Sequence, residues 1–215
     1  MNAVNRILVD YRALLETVDT WFNRCLESSG RRIQCRPGCS QCCRGLFDIS
    51  LLDACFLRQG FDRLPEELRQ SVLVKARARL TELQRLWPGF DTPYLLNHLP
   101  DELWTEMPED DMTPCPLLGE DGRCLVYSHR PMTCRLHGLP NIDCSGESFS
   151  DEWCTLNFTD ADPLAMDELR WEFRRTFEAE LKLFHAFTSR LLGAPRNELD
   201  TFIPLALLLD FDTLR

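Results

Sequence analysis

Lysine is almost absent from this chain: Lys75 and Lys182 are the only two among 215 residues. Nearly all the basic charge is arginine, and acidic residues outnumber basic ones 34 to 24, for a formal net charge of −10. A nucleic-acid partner is therefore not expected, because neutralising phosphates takes a basic face. Long apolar runs are also missing. The longest, Ile203 to Leu209, is far shorter than the roughly 20 residues that span a bilayer, so no membrane partner is expected either. The first residues carry Asn5, Arg6 and Asp10 where a secretory signal would be unbroken apolar sequence, which predicts a cytoplasmic protein. There is no glycine-rich phosphate loop, no G-x-G-x-x-G after a strand, no nucleophile elbow and no H-E-x-x-H helix. Those absences remove the common nucleotide-dependent and hydrolytic enzymes, and no reaction can be assigned from motifs.

What the chain has instead is cysteine, eleven in all. Four fall within nine residues, in Cys35-Arg-Pro-Gly-Cys39-Ser-Gln-Cys42-Cys43. Downstream stand Cys115-Pro-Leu-Leu, Cys124-Leu-Val-Tyr and Arg130-Pro-Met-Thr-Cys134-Arg. In a reducing compartment such bunching points to metal ligation or redox chemistry rather than disulfides, and an odd number cannot pair completely. Thiolates two or three residues apart on an irregular turn can reach one centre. Cys35, Cys39, Cys42, Cys43, Cys115, Cys124 and Cys134 are the candidate ligands. Four thiolates around Zn²⁺ or a [4Fe–4S]²⁺ cluster leave two negative charges, and Arg36, Arg44, Arg123, Arg130 and Arg135 lie within these loops to offset them. Cys25 and Cys55 sit among apolar helical neighbours and read as core. Cys144 and Cys154 are open between ligand and packing, as is His137 between ligand and supporting partner. His98, His129 and His185 have no strong claim.

Around these loops the pattern is helical. Val4, Ile7, Leu8, Tyr11, Leu14, Leu15, Val18, Trp21, Phe22 and Cys25 keep helical spacing up to Ser28-Ser29-Gly30. Ser50 with Asp53 suggests a capping box for a helix ending near Gly60. Pro65 opens another, with Leu68, Val72, Leu80, Leu83 and Leu86 inward, that stops at Pro88-Gly89. Residues 90–114 lack periodicity apart from a short helix about Leu99 to Glu106, and Glu109-Asp110-Asp111 is a candidate contact for a partner. A short hairpin can flank Asp121-Gly122, and Ser128 can cap a turn that returns Cys134 toward Cys124. The longest helix is expected from Pro163 to Leu192, closed by Gly193, with a last apolar stretch, Phe202 to Phe211, packing back. The expectation is a mainly α fold: a helical shell around two irregular cysteine-rich loops that converge on a metal centre. One domain spans 1–215, with a metal-binding core at about 35–137 and a helical extension at 160–215.

The pattern C-x3-C-x2-C-C, then C-P-L-L, then C-x-V-Y-x-x-R-P-x-x-C-R resembles the CxxCxxCC zinc- or iron-chelating domain, the YkgJ-like cysteine-cluster proteins. Cys35, Cys39, Cys42, Cys43, Cys115, Cys124, Tyr127, Arg130, Pro131, Cys134 and Arg135 carry it, over about residues 35–137. The first gap is three residues where the family more often has two. The resemblance implies a chelating or iron–sulfur role without an assigned reaction, and one branch resembles flagellin lysine N-methylases. The cofactor expected is an iron–sulfur cluster, [4Fe–4S] ahead of zinc, because adjacent Cys42 and Cys43 fit different irons or centres more readily than one zinc. Two alternatives stand beside it: an iron–sulfur-dependent protein-modifying enzyme, or an interaction protein with a purely structural zinc. Radical-SAM chemistry has the formal spacing at Cys35, Cys39 and Cys42. It lacks the aromatic residue before the third cysteine, where Gln41 stands, and the alternating strands and helices.

Overall fold

A computed structural model describes residues 3–104 and 111–214. Helix α1, Ala3–Ser29, buries Leu8, Tyr11, Leu15, Val18, Trp21 and Cys25 along one stripe. Successive steps of three or four residues put those side chains over one another on the face turned to the core. Gly30 then turns the chain at φ 55°. Strand β1, Asp48–Ser50, leads into α2, Leu51–Phe61, where the Ser50 hydroxyl accepts the Asp53 N–H as the expected cap. Helix α3, Glu66–Leu86, begins right after Pro65 and α4 is the single turn Asp101–Trp104. After the second cysteine region come α5, Met132–Leu136, and the strands β2, Asn141–Ile142, and β3, Ser148–Ser150. Helix α6, Phe173–Leu192, ends on Gly193 in the left-handed conformation. Strand β4, Asp200–Phe202, and the one-turn helix α7, Ile203–Ala206, finish the order.

The fold is mainly α, with helices framing irregular loops. Helix α1 packs against α6 and α5, and α2 lies against α6 and α7. The main core joins Tyr11, Trp21, Phe56, Phe173 and Phe187. Trp21 stacks on Trp171 at 5.7 Å and meets Phe173 edge-on at 4.9 Å, an arrangement favoured by ring quadrupoles. A smaller cluster of Leu83, Trp87, Phe90, Leu96, Phe202 and Leu205 lies under α3. Strand β1 pairs antiparallel with β4, Ile49 opposite Thr201, which ties the end of the chain to the segment leaving the first cysteine loop.

Several expectations are corrected. The longest helix is α1, at 27 residues, whereas α6 begins only at Phe173. The apolar period does continue upstream through Met166 and Leu169. There it is folded into two separate 3-10 turns, Pro163–Ala165 and Asp167–Leu169, and Arg170 is extended. In α3, Leu68 and Leu86 are exposed, because they occupy the end turns of a helix whose neighbour α7 is one turn long. The hairpin at Asp121-Gly122 shrinks to a turn with one isolated bridge, Leu118 to Cys124; the true short hairpin is β2–β3. Ser128 does not cap α5: Pro131 holds that position and the Ser128 hydroxyl contacts His129 Nδ1 at 3.0 Å. The short helix near residue 100 is confined, among the described residues, to Asp101–Trp104. Of the acidic run, Asp111 is enclosed in an ion pair with the buried Arg79, so it is no free contact; Glu109 and Asp110 lie outside the described residues.

Candidate metal centre

The first cysteine loop, residues 33–45, has no regular structure, and neighbours hold it at three places. At its start, the buried Asn157 accepts the Gln34 N–H at 2.8 Å and donates to the Gly138 carbonyl at 2.8 Å, while Phe158 N–H reaches the Arg32 carbonyl. In the middle, Gly38 and Gly122 touch backbone to backbone. A methyl on Gly122 would come within 2.8 Å of the Gly38 carbonyl oxygen, so only glycine allows this approach. At the end, Cys115 N–H donates to the Cys43 carbonyl at 2.9 Å and Gly45 N–H to the Thr113 carbonyl at 2.9 Å. The two cysteine regions therefore do converge, by main-chain contacts.

Their side chains fall into two groups. Cys43 lies within electrostatic reach of Cys115, Cys124 and Cys134, and Cys42 hydrogen-bonds Cys43. Cys134 in turn feels Cys115, Cys124 and Cys42. Cys35 feels Cys39, Cys154 and Cys42. Cys42 thus borders both groups. Cys154, which sequence left open, joins the second: its Cβ and the Cys35 Sγ both stand beside Gly138, 3.9 and 3.5 Å from where a methyl there would lie. Cys144 is exposed, and Cys25 and Cys55 lie on helices away from these loops, Cys25 fully buried. Among the described residues no three His, Cys, Asp or Glu side chains stand in finished metal geometry; the thiols are gathered but not closed on one point.

Burial pushes the thiols toward the protonated form. It drives Cys134 well above the ordinary range, raises Cys115 to about 12, and raises Cys124 and Cys35. Cys43 goes the other way, because the Cys42 thiol donates a hydrogen bond to it; Cys42, as that donor, is raised. Two turns aim backbone N–H groups at sulfur, Leu117 at Cys115 and Val126 at Cys124, each two residues on from its cysteine. Such N–H groups, like the positive charges of Arg130 near Cys42 and Cys124 and of Lys75 near Cys115, favour thiolate.

Of the five loop arginines, Arg130 acts on Cys42 and Cys124. It also stacks over Tyr127 at 4.1 Å and pairs with Asp19. Arg135 is buried as a clamp: it pairs with Asp19 and donates to the carbonyls of Arg130 and Ser128. Arg123 pairs with exposed Asp121, and Arg44 reaches the Met112 carbonyl. His137 is exposed and meets Phe47 edge-on. His129 is buried against Phe56, its Nε2 receiving Arg12 and Arg63.

Sequence reasoning missed Asn157, whose role rests on contacts with residues 34 and 138, and Asp53. Asp53 is 3% exposed and accepts both the Tyr11 hydroxyl at 2.7 Å and the Met132 N–H at 3.0 Å. It thereby holds the start of α5, the helix that carries Cys134. The Ser50–Asp53 cap was legible, but nothing local pointed to Met132.

Compared with known proteins, the chain matches no curated protein and no solved structure. The profile of one family, described as CxxCxxCC: Putative zinc- or iron-chelating domain, matches residues 34–155, reaching past the motif cysteines to take in Cys144 and Cys154. With more than half of its length matched, from the first cysteine loop through Cys154, the chain belongs to the CxxCxxCC family of zinc- or iron-chelating domains.

Proposed function

We propose that the protein holds an iron–sulfur cluster, with Cys43, Cys115, Cys124 and Cys134 as its thiolates and Cys42, Cys35, Cys39 and Cys154 forming the adjoining thiol group. The observation that carries this reading is that Cys42, Cys43, Cys115, Cys124 and Cys134, from separate chain segments, lie within electrostatic reach of one another. A single zinc takes four ligands and leaves one of these thiols over. Redox centres often keep neighbouring thiols for exchange. The donor set suits such a group: soft sulfur ligands, N–H groups aimed at Cys115 and Cys124, and Arg130 and Lys75 to offset negative charge. A bound cluster supplies one-electron chemistry. The chain's own part is to present the thiolates on turns anchored to the helical core, against which Cys35, Cys115, Cys124 and Cys134 pack.

Zinc is the second reading, favoured by the division of the thiols into two groups that border one another at Cys42. Each group can supply four sulfur ligands if Cys42 belongs to the second. Anaerobic purification followed by metal analysis and a visible spectrum decides between them. The expected result is stoichiometric iron and sulfide with a broad visible absorption that bleaches on reduction. Colourless protein with one or two zinc ions selects the zinc reading. Protein that retains neither metal, before or after reconstitution, overturns both.

A further inference from the structure

A cavity of about 640 Å³ opens beside α5, and no cysteine is among its lining residues. Residues of β1, β4, α5 and α6 and the end of β3 wall it. Met132, Thr133 and Leu136 face it from α5, the helix that carries Cys134, and Gly138, on its wall, adjoins Cys35 Sγ. Its volume falls within the range of small-molecule sites, roughly 300–1,000 Å³, and far exceeds what a metal ion alone requires.

The charge on its walls is one-sided. Asp48, Asp53, Glu152, Glu180, Glu198 and Asp200 line it; neither arginine nor lysine does, and His137, also on the lining, is pushed toward its neutral form by desolvation although Glu152 is near. Among the described residues none of the six takes part in an ion pair, although arginines pair with carboxylates over much of the remaining surface. Arg135, whose charge reaches Asp53, is already paired with Asp19. Buried carboxylates without a counter-charge are costly, and the usual remedy is a retained proton. The Tyr11 hydroxyl shows that remedy in its geometry. It lies 2.7 Å from Asp53 Oδ1 and 3.0 Å from Glu180 Oε1, yet it has one proton to donate, so the second contact needs a proton kept by a carboxyl group. In accord, burial raises Glu180 to about 8 and Asp200 to about 7.

Two observations independent of the acidic groups point to what belongs there. Phe47, Trp153, Phe177 and Phe184 give the cavity an aromatic wall beside the carboxylates. Asn141, on the same lining, has a side-chain oxygen that is buried without a hydrogen-bond partner. Aromatic faces, anionic oxygens and a spare acceptor together match a cationic nitrogen on an apolar stem. We propose that this cavity binds an alkylammonium group, with Asp53, Glu180 and Asp200 as its counter-charge and the aromatic wall packing its stem. The inference stands on the cavity and needs no particular metal at the thiols.

Calorimetric titration of the full chain with 1,5-diaminopentane tests it, with 1,5-pentanediol as the uncharged control. Saturable binding of one diamine per chain is expected, with no binding of the diol. Glu180→Gln and Asp200→Asn should each weaken the diamine about tenfold, the loss of one charge-assisted hydrogen bond. Equal binding of the diol, or diamine affinity unchanged in both variants, overturns the proposal. Both variants replace a carboxyl that folding forces to hold its proton and should melt at or above the parent near neutral pH. If either melts lower, Glu198→Gln at the exposed rim replaces it, with a smaller loss expected and an unchanged affinity counting against the site. Competition by a blocked tripeptide with a central lysine assigns the ammonium to a peptide side chain, and binding of the free diamine alone assigns it to a small amine. Metal content measured on the same samples separates failure here from failure of the thiolate centre.

Discussion

At the scale of single residues, Asn157 ties together distant parts of the chain. Its one side chain joins residue 34 to residue 138 and lies 3.7 Å from Cys35 Sγ, while its own N–H bonds the Cys154 carbonyl. Asn157→Ala should cost about 2 kcal/mol in urea unfolding, because it strands the buried Gly138 carbonyl and removes the partner of the part-buried Gln34 N–H. It should also loosen the Cys35 group before the Cys115–Cys134 group, which a thiol-labelling rate on apo protein would show as faster modification of Cys35 and Cys154 alone. Equal labelling of both groups would count against a separate anchoring of the two. His129 shows a different single-residue effect. Two arginines donate to its Nε2, so the ring is neutral and carries its proton on Nδ1, toward Ser128; burial and Arg12 lower its pKa to about 4. Nothing in the residue's local sequence announced this, since the arginines come from positions 12 and 63.

At the scale of elements, the two cysteine regions depend on how closely their backbones approach. Gly122 sits at φ 76° with the Gly38 carbonyl oxygen 2.8 Å from the position of a methyl group. Gly122→Ala should destabilise the fold by about 2–4 kcal/mol, through strain and overlap together, and lower the metal retained on purification. Gly146 provides the control: it has φ 89° but nothing within 4 Å, so Gly146→Ala should show strain alone, about 1 kcal/mol, with metal content unchanged. Equal metal loss in both would remove the special role of the loop contact. The elements differ in how legible they were. Helix α1 could be read nearly to its ends because one face is apolar throughout and glycine stops it. The start of α6 could not, because Met166 and Leu169 keep the period of a helix while Met166 is an extended link between two 3-10 turns and Leu169 ends the second, which packs on α1. The β1–β4 pair was invisible: two three-residue strands some 150 positions apart carry no alternation long enough to notice.

For the molecule as a whole, the unbalanced carboxylates of the cavity set a pH dependence. Glu180 and Asp200 are raised to about 8 and 7 in the folded chain, from ordinary values of 4.5 and 3.8. A raised acid binds its proton more tightly when folded, so its contribution is complete below the unfolded value and is lost as pH rises through the folded one. Stability should therefore decline between about pH 4 and pH 8 from these two groups, and the double variant Glu180→Gln, Asp200→Asn should flatten that decline in urea midpoints measured across the range. A parallel decline in parent and variant would show that other groups cause it. For the proposed centre, spacing supplied candidate cysteines and no arrangement of them. Spacing picked out Cys35, Cys39, Cys42, Cys43, Cys115, Cys124 and Cys134, but their division into two groups, and the entry of Cys154, arise from Asn157, Gly138 and the Gly38–Gly122 contact, which act across the chain.

The backbone contact of Cys115 with Cys43 also sets a timetable for synthesis. The four thiols of the opening motif leave the ribosome well before the second cysteine region, since Cys115, the backbone partner of Cys43, follows it by 72 positions, 115 less 43. At the usual pace of translation, about 5–20 residues per second, that is a wait of roughly 4–14 seconds. During it the opening motif has none of the distant sulfurs that stand beside it in the folded chain. A nascent chain halted before Cys115 therefore displays the C-x3-C-x2-C-C motif without the backbone contacts that hold its end in the folded protein.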